Sequence, residues 1–297
     1  MENNKIYPDS FNELFSKNYT CNEYEKFIGQ GNPASKILII AKEWGMEKTD
    51  PAYIYGIKEN FRTWRDMRHP DVKNWFDAHW NWSAYHPRQP YKGQLLLKDN
   101  KNTDISLNNK GTSLTWCAYQ KFINKILPKD LQVKKGEQLN FYDYCFITEL
   151  SSNCMPKSRK NDDTKKSIET RLSSNGILAQ PFFRNFPVVI MAIYHYIDWY
   201  NDIPIIHNFD GGVLNYEYKG IIVSEDTYSK YNEETKKRMP LFRTNNDFSK
   251  GNFINVHESA DKKHILLHTN HFVDNSRPRS DVWMNELADI IRPYLNI

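Results

Sequence analysis

The chain is poor in cysteine, with four in 297 residues. No two of them form a Cys-x-x-Cys pair, so the sequence excludes a zinc ribbon and indicates no disulfide framework. A sparse and scattered set of this kind is typical of a reducing, cytoplasmic compartment. The four residues are Cys21, Cys117, Cys145 and Cys154.

The sequence also lacks long apolar runs. None approaches the roughly 20 residues that a membrane-spanning helix needs, and no charged-then-apolar leader stands at the N-terminus. We therefore expect a cytoplasmic protein without a membrane partner. A phosphate-binding P-loop and a dinucleotide-binding glycine fingerprint are missing as well, and we expect neither a cofactor nor a metal.

Aromatic residues are plentiful by contrast. They make up 14% of the chain, with 18 Tyr, 16 Phe and 8 Trp, whereas all hydrophobic residues together reach only 39%. Rings serve cores, protein interfaces and stacking on bases. The net charge of +4 is too small to establish nucleic-acid binding, but it can be concentrated on one face.

Apolar runs alternate with helical patterns along the chain. This alternation predicts an α/β protein, a three-layer α/β/α sandwich with a mostly parallel central sheet. We expect a single domain over residues 1–297, with a long aromatic insertion at about 49–107. The predicted strands are 36–41, 141–150, 188–193, 221–223 and 264–268, and the predicted helices begin near residues 111, 166 and 280.

Polar side chains lie at the carboxyl ends of two of these strands. Glu43 comes just after the first predicted strand, and His268 closes the last. In open α/β sheets the ligand site lies beyond the carboxyl ends of the strands. We therefore expect a carboxylate and an imidazole to meet over one crevice.

Several segments, taken in order, resemble the uracil-DNA glycosylase superfamily. They are the Gly-Gln-Gly-Asn-Pro-Ala lead-in at 29–34, the loop at 41–45, the helix from Gly111, the strand end at 147–150 and the loop at His268. About half of the chain is covered. The resemblance implies a monofunctional DNA glycosylase, which flips a nucleotide, hydrolyses its base–sugar bond and leaves an abasic site.

The resemblance also implies roles for the two strand-end residues. Glu43 would stabilise the sugar cation and position the attacking water. His268 would donate a hydrogen bond to the departing base, with His271 as a weaker candidate for the same task.

The residues after His268 would contact DNA. Thr269 and Asn270 replace a proline–serine pair of the family and can bind a phosphate. Phe272 stands where the family places an apolar wedge that fills the gap left by the flipped base. A buried core phenylalanine is the alternative for this position.

The loop after the first strand departs from the family pattern. Trp44 replaces a proline, and Lys42 replaces a glutamine or glutamate, so the loop that handles water is rebuilt. We place Trp44 among the base-binding candidates. Lys42 beside Glu43 offers an alternative nucleophile, whose amine would form a Schiff base with the sugar and lead to strand cleavage.

Glu149 takes the place of an asparagine that reads the base edge in uracil-excising relatives. An ionised carboxylate only accepts, which suits the N4 amino group of cytosine, and a protonated one can also donate to cytosine N3. Glu149 therefore favours a cytosine-type base over uracil. Two alternatives stay open: Glu149 pairs with Lys42 or a loop arginine, or Asn153 is the true reader.

The insertion at about 49–107 is longer than a uracil pocket needs. One hypothesis is a roomier pocket for a 5-substituted cytosine, such as glucosylated hydroxymethylcytosine in phage DNA. A lid or a protein-binding surface explains the same composition.

Basic residues follow two of the predicted strand ends. They can form a rim that tracks DNA phosphates, although charge runs of this size are often ordinary solvated surface. DNA is the expected partner, and no obligate protein partner is inferred. The set comprises Lys157, Arg159, Lys160, Lys165, Lys166, Arg277 and Arg279.

Two other functions fit the same pattern. One is a repair glycosylase for uracil or damaged pyrimidines, which needs no bulky 5-substituent. The other is a catalytically inactive DNA-binding module of the same fold, which the altered loop at Trp44 favours.

Overall fold

The computed structural model describes residues 7–15, 27–45, 60–67, 113–274 and 277–295. Most of the predicted insertion at about 49–107 lies outside these ranges. Within them, no helix combines the length and the apolar character that a membrane crossing requires.

The ten described strands form one large sheet and one short ribbon. In chain order they are β1 (Gln30–Gly31), β2 (Ile37–Ala41), β3 (Phe146–Glu149), β4 (Val188–Met191), β5 (Glu217–Val223), β6 (Leu241–Thr244), β7 (Ile254–Glu258), β8 (Ile265–Thr269), β9 (Val273–Asp274) and β10 (Arg277–Pro278). The first eight form the sheet in the order β1-β3-β2-β4-β8-β7-β5-β6, and β9 pairs with β10.

Four neighbouring strands in the middle of the sheet, β3, β2, β4 and β8, run parallel. Strand β2 is buried along its whole length, which explains its uninterrupted Ile-Leu-Ile-Ile-Ala sequence. Strands β1 and β7 run antiparallel to their partners β3 and β8. The predicted α/β class is confirmed, and the sheet is mixed.

Helices connect and flank the strands. They are α1 (Asp9–Glu13), α2 (Asn60–Met67), α3 (Leu114–Ile126), α4 (Asp162–Leu172), α5 (Pro181–Arg184), α6 (Tyr196–Trp199), α7 (Ile205–Asp210), α8 (Glu225–Tyr228), α9 (Glu233–Arg238) and α10 (Asp281–Leu295), with single 3₁₀ turns at Lys129–Leu131, Phe141–Asp143 and Ile177–Ala179. Helix α3 packs against α10, and α10 also contacts β4.

Two predicted elements begin elsewhere than expected. Helix α4 begins at Asp162, four residues before the predicted start near 166, because the Asn161 side chain caps it by accepting a hydrogen bond from the Thr164 N–H at 2.8 Å. The predicted strand 141–150 starts as a 3₁₀ turn and becomes a strand only at Phe146.

The glycine–asparagine–proline lead-in joins β2 to the region before β3. Asn32 Nδ2 donates to the Asp143 carbonyl at 2.9 Å, and Asn32 Oδ1 accepts from the Ala34 N–H at 2.9 Å. Gly31 has a φ of +96°, and a Cβ there would lie 2.3 Å from the Cys145 carbonyl oxygen. This motif therefore has a structural role at the start of β2.

We expect Gly31→Ala to lower the free energy of unfolding by about 3 kcal/mol. The new methyl group would clash with backbone atoms, and alanine is strained at this positive φ. Gly136→Ala is the matched control, since its φ is +85° with nothing within 4 Å of the added Cβ. The control should cost only about 1 kcal/mol. Chemical denaturation measures both, and equal losses would contradict the close approach at Gly31.

Candidate active site

The carboxyl ends of β3, β2, β4 and β8 meet at one edge of the sheet, because the four strands are parallel and in register. Hydrogen bonds continue beyond β2 and β3: the Leu150 N–H donates to the Ala41 carbonyl at 2.7 Å, and the Ser151 N–H donates to the Lys42 carbonyl at 2.8 Å. The structure thus brings the segments after these strands together at one edge of the sheet.

Glu43 is half-buried at this edge and held by two hydroxyl groups. Ser158 Oγ donates to Glu43 Oε1, and the Tyr196 hydroxyl donates to Glu43 Oε2. Burial raises the pKa of Glu43, while the two hydrogen bonds and the charge of Lys42 oppose that rise. The carboxylate is therefore held in one orientation, with its protonation state balanced between burial and polar contacts.

Lys42 brings a positive charge to the same edge of the sheet. Its Nζ lies 5.4 Å from the ring centroid of Tyr196 and 5.6 Å from that of Tyr194. Both distances suit a cation–π contact. The Lys42 charge also helps to lower the pKa values of His195 and His271.

Glu149 ends β3 with its side chain inside the protein, at 8% exposure. Its Oε2 has no hydrogen-bond partner among the described residues. Burial raises the pKa of Glu149 well above its ordinary value, and the negative charge of Glu43 adds to the rise, whereas Arg171 opposes it. Burial therefore favours the neutral form of Glu149.

The positive charge that faces Glu149 comes from helix α4. Arg171 is fully buried, and it donates to the Phe27 carbonyl at 2.8 Å and to Thr148 Oγ1 at 3.3 Å. The sequence left open a pairing with Lys42 or a loop arginine. The described interaction is instead electrostatic and involves a helical arginine.

The other two predicted base-binding residues lie in the walls of the site. Asn153 Nδ2 donates to Thr164 Oγ1 at 3.2 Å, so this amide braces the loop against α4. The Trp44 ring packs edge-on against Phe27 at 5.6 Å, in a small cluster with Cys154. Trp44 Nε1 is buried without a hydrogen-bond partner among the described residues.

His268 is placed differently from its predicted role. It is 7% exposed, and both ring nitrogens are engaged: Asn255 Nδ2 lies 3.1 Å from Nδ1, and the Tyr194 carbonyl lies 2.9 Å from Nε2. An amide Nδ2 only donates, so Nδ1 accepts and Nε2–H donates to Tyr194. The prediction that His268 donates to a base is wrong in this geometry, because no ring N–H is left.

His271 fits that task better. The Val273 N–H donates to His271 Nδ1 at 3.2 Å, which leaves the hydrogen on Nε2, and Nε2 makes no hydrogen bond within the described residues. Burial lowers the pKa of His271 to about 4, with the Lys42 charge as the next cause. Arg279 Nε donates to the His271 carbonyl at 3.1 Å and fixes the loop.

The residues between and after these histidines are internal, which corrects their predicted DNA contacts. Thr269 Oγ1 donates to the Phe253 carbonyl at 2.5 Å, and Asn270 Oδ1 accepts from the Phe253 N–H at 2.9 Å. Both side chains are fully buried. Phe272 is also fully buried and packs on the rings of Tyr119 and Trp283, so the core alternative applies and the wedge does not.

The basic rim is present in part. Lys157, Arg159 and Lys160 are exposed in the loop that carries Ser158, directly beside Glu43. Lys165 instead forms ion pairs with Asp202 and Glu169. The side chain of Arg277 lies outside the described residues.

Sequence reasoning missed Ser158, Tyr194 and Tyr196. The latter two come shortly after β4, in a Tyr-His-Tyr segment whose rings cannot be distinguished from core residues by sequence alone. Their neighbour His195 has a buried Nε2 without a hydrogen-bond partner in the described ranges.

In those same ranges, no group of three or more His, Cys, Asp or Glu side chains can hold a metal ion.

The comparisons with known proteins add no relative, since no family model, curated protein or solved structure matches the chain. The resemblance to the uracil-DNA glycosylase superfamily therefore stays a prediction.

The buried His268 should make stability depend on pH. Burial lowers its pKa from 6.5 to about 4, so the unfolded chain takes up the proton first as the pH falls. This contribution is complete above pH 6.5 and is lost between 6.5 and about 4; one pKa unit corresponds to about 1.4 kcal/mol.

We expect the difference in unfolding free energy between the wild type and His268→Asn to shrink over that pH range, by about 3 kcal/mol at most. Comparing the two proteins cancels the opposite contributions of Glu43 and Glu149. Denaturant titrations at several pH values measure the difference. A difference that does not change with pH would show that His268 is not held neutral by burial.

Proposed function

We propose that this protein is a monofunctional DNA glycosylase that flips a pyrimidine nucleotide and hydrolyses its base–sugar bond. The fold proposed with it is a three-layer α/β/α sandwich of the uracil-DNA glycosylase type. The observation that carries the proposal is the arrangement of two carboxyl groups at one edge of the sheet: two hydroxyl groups hold Glu43, and Glu149 is buried.

Glycosidic hydrolysis needs a group that stabilises a cationic sugar and orients water. Glu43 can do both, because a carboxylate has about four lone-pair sites and only two are used by Ser158 and Tyr196. Both hydrogen bonds favour the ionised form, which is the form that accepts a proton from water.

The departing base gathers negative charge, which a hydrogen-bond donor and a cation can stabilise. We assign the donor role to Nε2–H of His271, since its Nδ1 already accepts from the Val273 N–H. Lys42 supplies positive charge between Tyr194 and Tyr196 in the same crevice. Because His271 stays neutral, it acts as a donor and not as a second cation.

Glu149 supplies the contact to the base edge. As a neutral acid it offers one O–H donor and one carbonyl acceptor, and its Oε2 has no partner within the described residues. This pair matches N3 and the N4 amino group of cytosine. We propose a 5-modified cytosine, such as glucosylated hydroxymethylcytosine in phage DNA, as the favoured substrate.

A second candidate is a repair glycosylase for uracil. The neutral state of Glu149 favours it, because the same acid can donate to uracil O4 and accept from its N3–H. Only an ionised Glu149 discriminates strongly against uracil. Glu149 therefore recognises the Watson–Crick edge of either base. The residues around C5 determine which of the two bases is bound.

The exposed basic loop connects DNA binding to this chemistry. Lys157, Arg159 and Lys160 flank Ser158, whose hydroxyl group holds Glu43. Phosphate contacts on this loop would thus order the residue that orients the carboxylate. Binding through these cations should weaken as salt rises.

The direct test is mass spectrometry of bases released from uracil DNA, unmodified DNA, hydroxymethylcytosine DNA and glucosylated phage DNA. We expect release of one modified cytosine. Glu43→Gln should slow this release at least about 100-fold, because it removes the carboxylate that acts as the general base. Glu225→Gln, at the same sheet edge after β5, should match the wild type. Release of uracil alone would favour the repair enzyme, and DNA binding without any release would favour the inactive binding module.

Tyr196→Phe tests how Glu43 is tuned. Removing the hydroxyl group takes away a hydrogen bond that lowers the pKa of Glu43. The acid limb of the pH profile of kcat/KM for base release should therefore move to higher pH.

Tyr294→Phe is the matched control for that change. Its hydroxyl group donates to Glu258 Oε1 at 2.6 Å, which is also a tyrosine–glutamate hydrogen bond, but Glu258 ends β7 at the opposite edge of the sheet. The control profile should overlay that of the wild type. An unmoved acid limb in Tyr196→Phe would show that the ionisation of Glu43 does not limit the reaction.

A further inference from the structure

Tyr194 stands out among the residues at the active edge. It is 39% exposed, although it lies directly beyond the buried end of β4. Its backbone has a φ of +49°, in the left-handed region that a tyrosine rarely adopts. Conformations of this kind persist where the surroundings impose them, and they cluster at functional sites.

Hydrogen bonds on both sides hold Tyr194 in that conformation. Its N–H donates to the Thr269 carbonyl at 3.0 Å, and its carbonyl accepts from His268 Nε2 at 2.9 Å. His268 is in turn fixed by Asn255, its cross-strand neighbour on β7. Tyr218 completes the chain, since its hydroxyl group donates to Asn255 Oδ1 at 2.7 Å.

The ring of Tyr194 also has a built support. It stacks on the Phe253 ring at 6.0 Å between centroids with an interplanar angle of 29°. The side chains of Thr269 and Asn270 hold the backbone of Phe253 through its carbonyl and its N–H. The polar side chains of three consecutive residues therefore fix the positions of the Tyr194 and Phe253 rings. These residues are His268, Thr269 and Asn270.

We infer that the Tyr194–Phe253 ring pair is a stacking platform for an unpaired DNA base, with His268 as a positioning residue. A flat, partly exposed ring accepts any base by stacking, and a fixed ring loses little entropy when it binds. Lys42 Nζ lies over the Tyr194 ring, 5.6 Å from its centroid, so positive charge for the DNA backbone is held at the platform itself. This inference rests on the proposed function, which makes DNA the ligand.

The test measures binding and not base release. The probe is a short fluorescein-labelled oligodeoxycytidylate, titrated by fluorescence anisotropy, because a single strand offers unpaired bases without flipping. We expect Tyr194→Leu to raise Kd about tenfold, while Tyr194→Phe, which keeps the ring, stays close to the wild type. Phe242→Leu is the matched control: that ring is 44% exposed on the edge strand β6.

A second variant separates stacking from folding. Tyr194→Gly removes the ring but takes up the left-handed conformation without strain, so its thermal stability should equal or exceed that of the wild type. Its Kd should rise as far as that of Tyr194→Leu. Unchanged binding in both variants, or an equal loss in Phe242→Leu, would overturn the platform.

The role of His268 is tested by a double-mutant cycle. His268→Ala should raise Kd in the wild-type background and have no further effect in Tyr194→Leu, because it acts only through that ring. Additive effects would assign His268 its own contact with DNA and overturn the positioning role. If the platform variants weaken binding while no base is ever released, the stacking inference holds and the glycosylase proposal fails.

Discussion

The burial of β2 between two parallel neighbours is the constraint on which the site depends. Its apolar run places Ile39 opposite Ile147 on one side and Ile190 on the other. Because this register aligns the carboxyl ends of β3, β2 and β4, the polar residues that follow them must meet. Glu43 and the Tyr196 hydroxyl group then need only short segments to reach each other. The meeting of these side chains is thus a consequence of strand pairing, and the loops supply the groups that can carry chemistry.

Burial also shifts the pKa of nearly every titratable group discussed at this edge of the sheet. It raises the pKa values of Glu43 and Glu149, and it lowers those of His268 and His271. A neutral Glu149 and neutral histidines can donate and accept hydrogen bonds without the cost of desolvating an ion, whereas the two hydrogen bonds of Glu43 favour its ionised form. The positive charge of Lys42 is stabilised by cation–π contacts with the rings of Tyr194 and Tyr196. This balance suits a reaction whose charges develop only in the transition state.

The sequence predicted those parts of the fold in which burial is uniform. Strand β2 was expected at 36–41 and is found at Ile37–Ala41, since every residue in it is apolar. In the region 204–262 the sequence predicts only the short strand 221–223, which lies within β5, because the strands there are partly exposed and the helices are short. Glu43 could be located from its place after β2. The partners of His268 could not, because they come from β7 and from the left-handed backbone of Tyr194, which no local pattern indicates.

We propose that the base–sugar bond is cleaved between Glu43 and Glu149. The most direct test is a structure of Glu43→Gln bound to DNA that contains glucosylated hydroxymethylcytosine. The account predicts one nucleotide flipped into the crevice, with the Watson–Crick edge of its base on Glu149. Its C1′ should face the side chain at position 43, with one water molecule between them. DNA bound along another face, with the crevice empty and all bases stacked, would contradict the account.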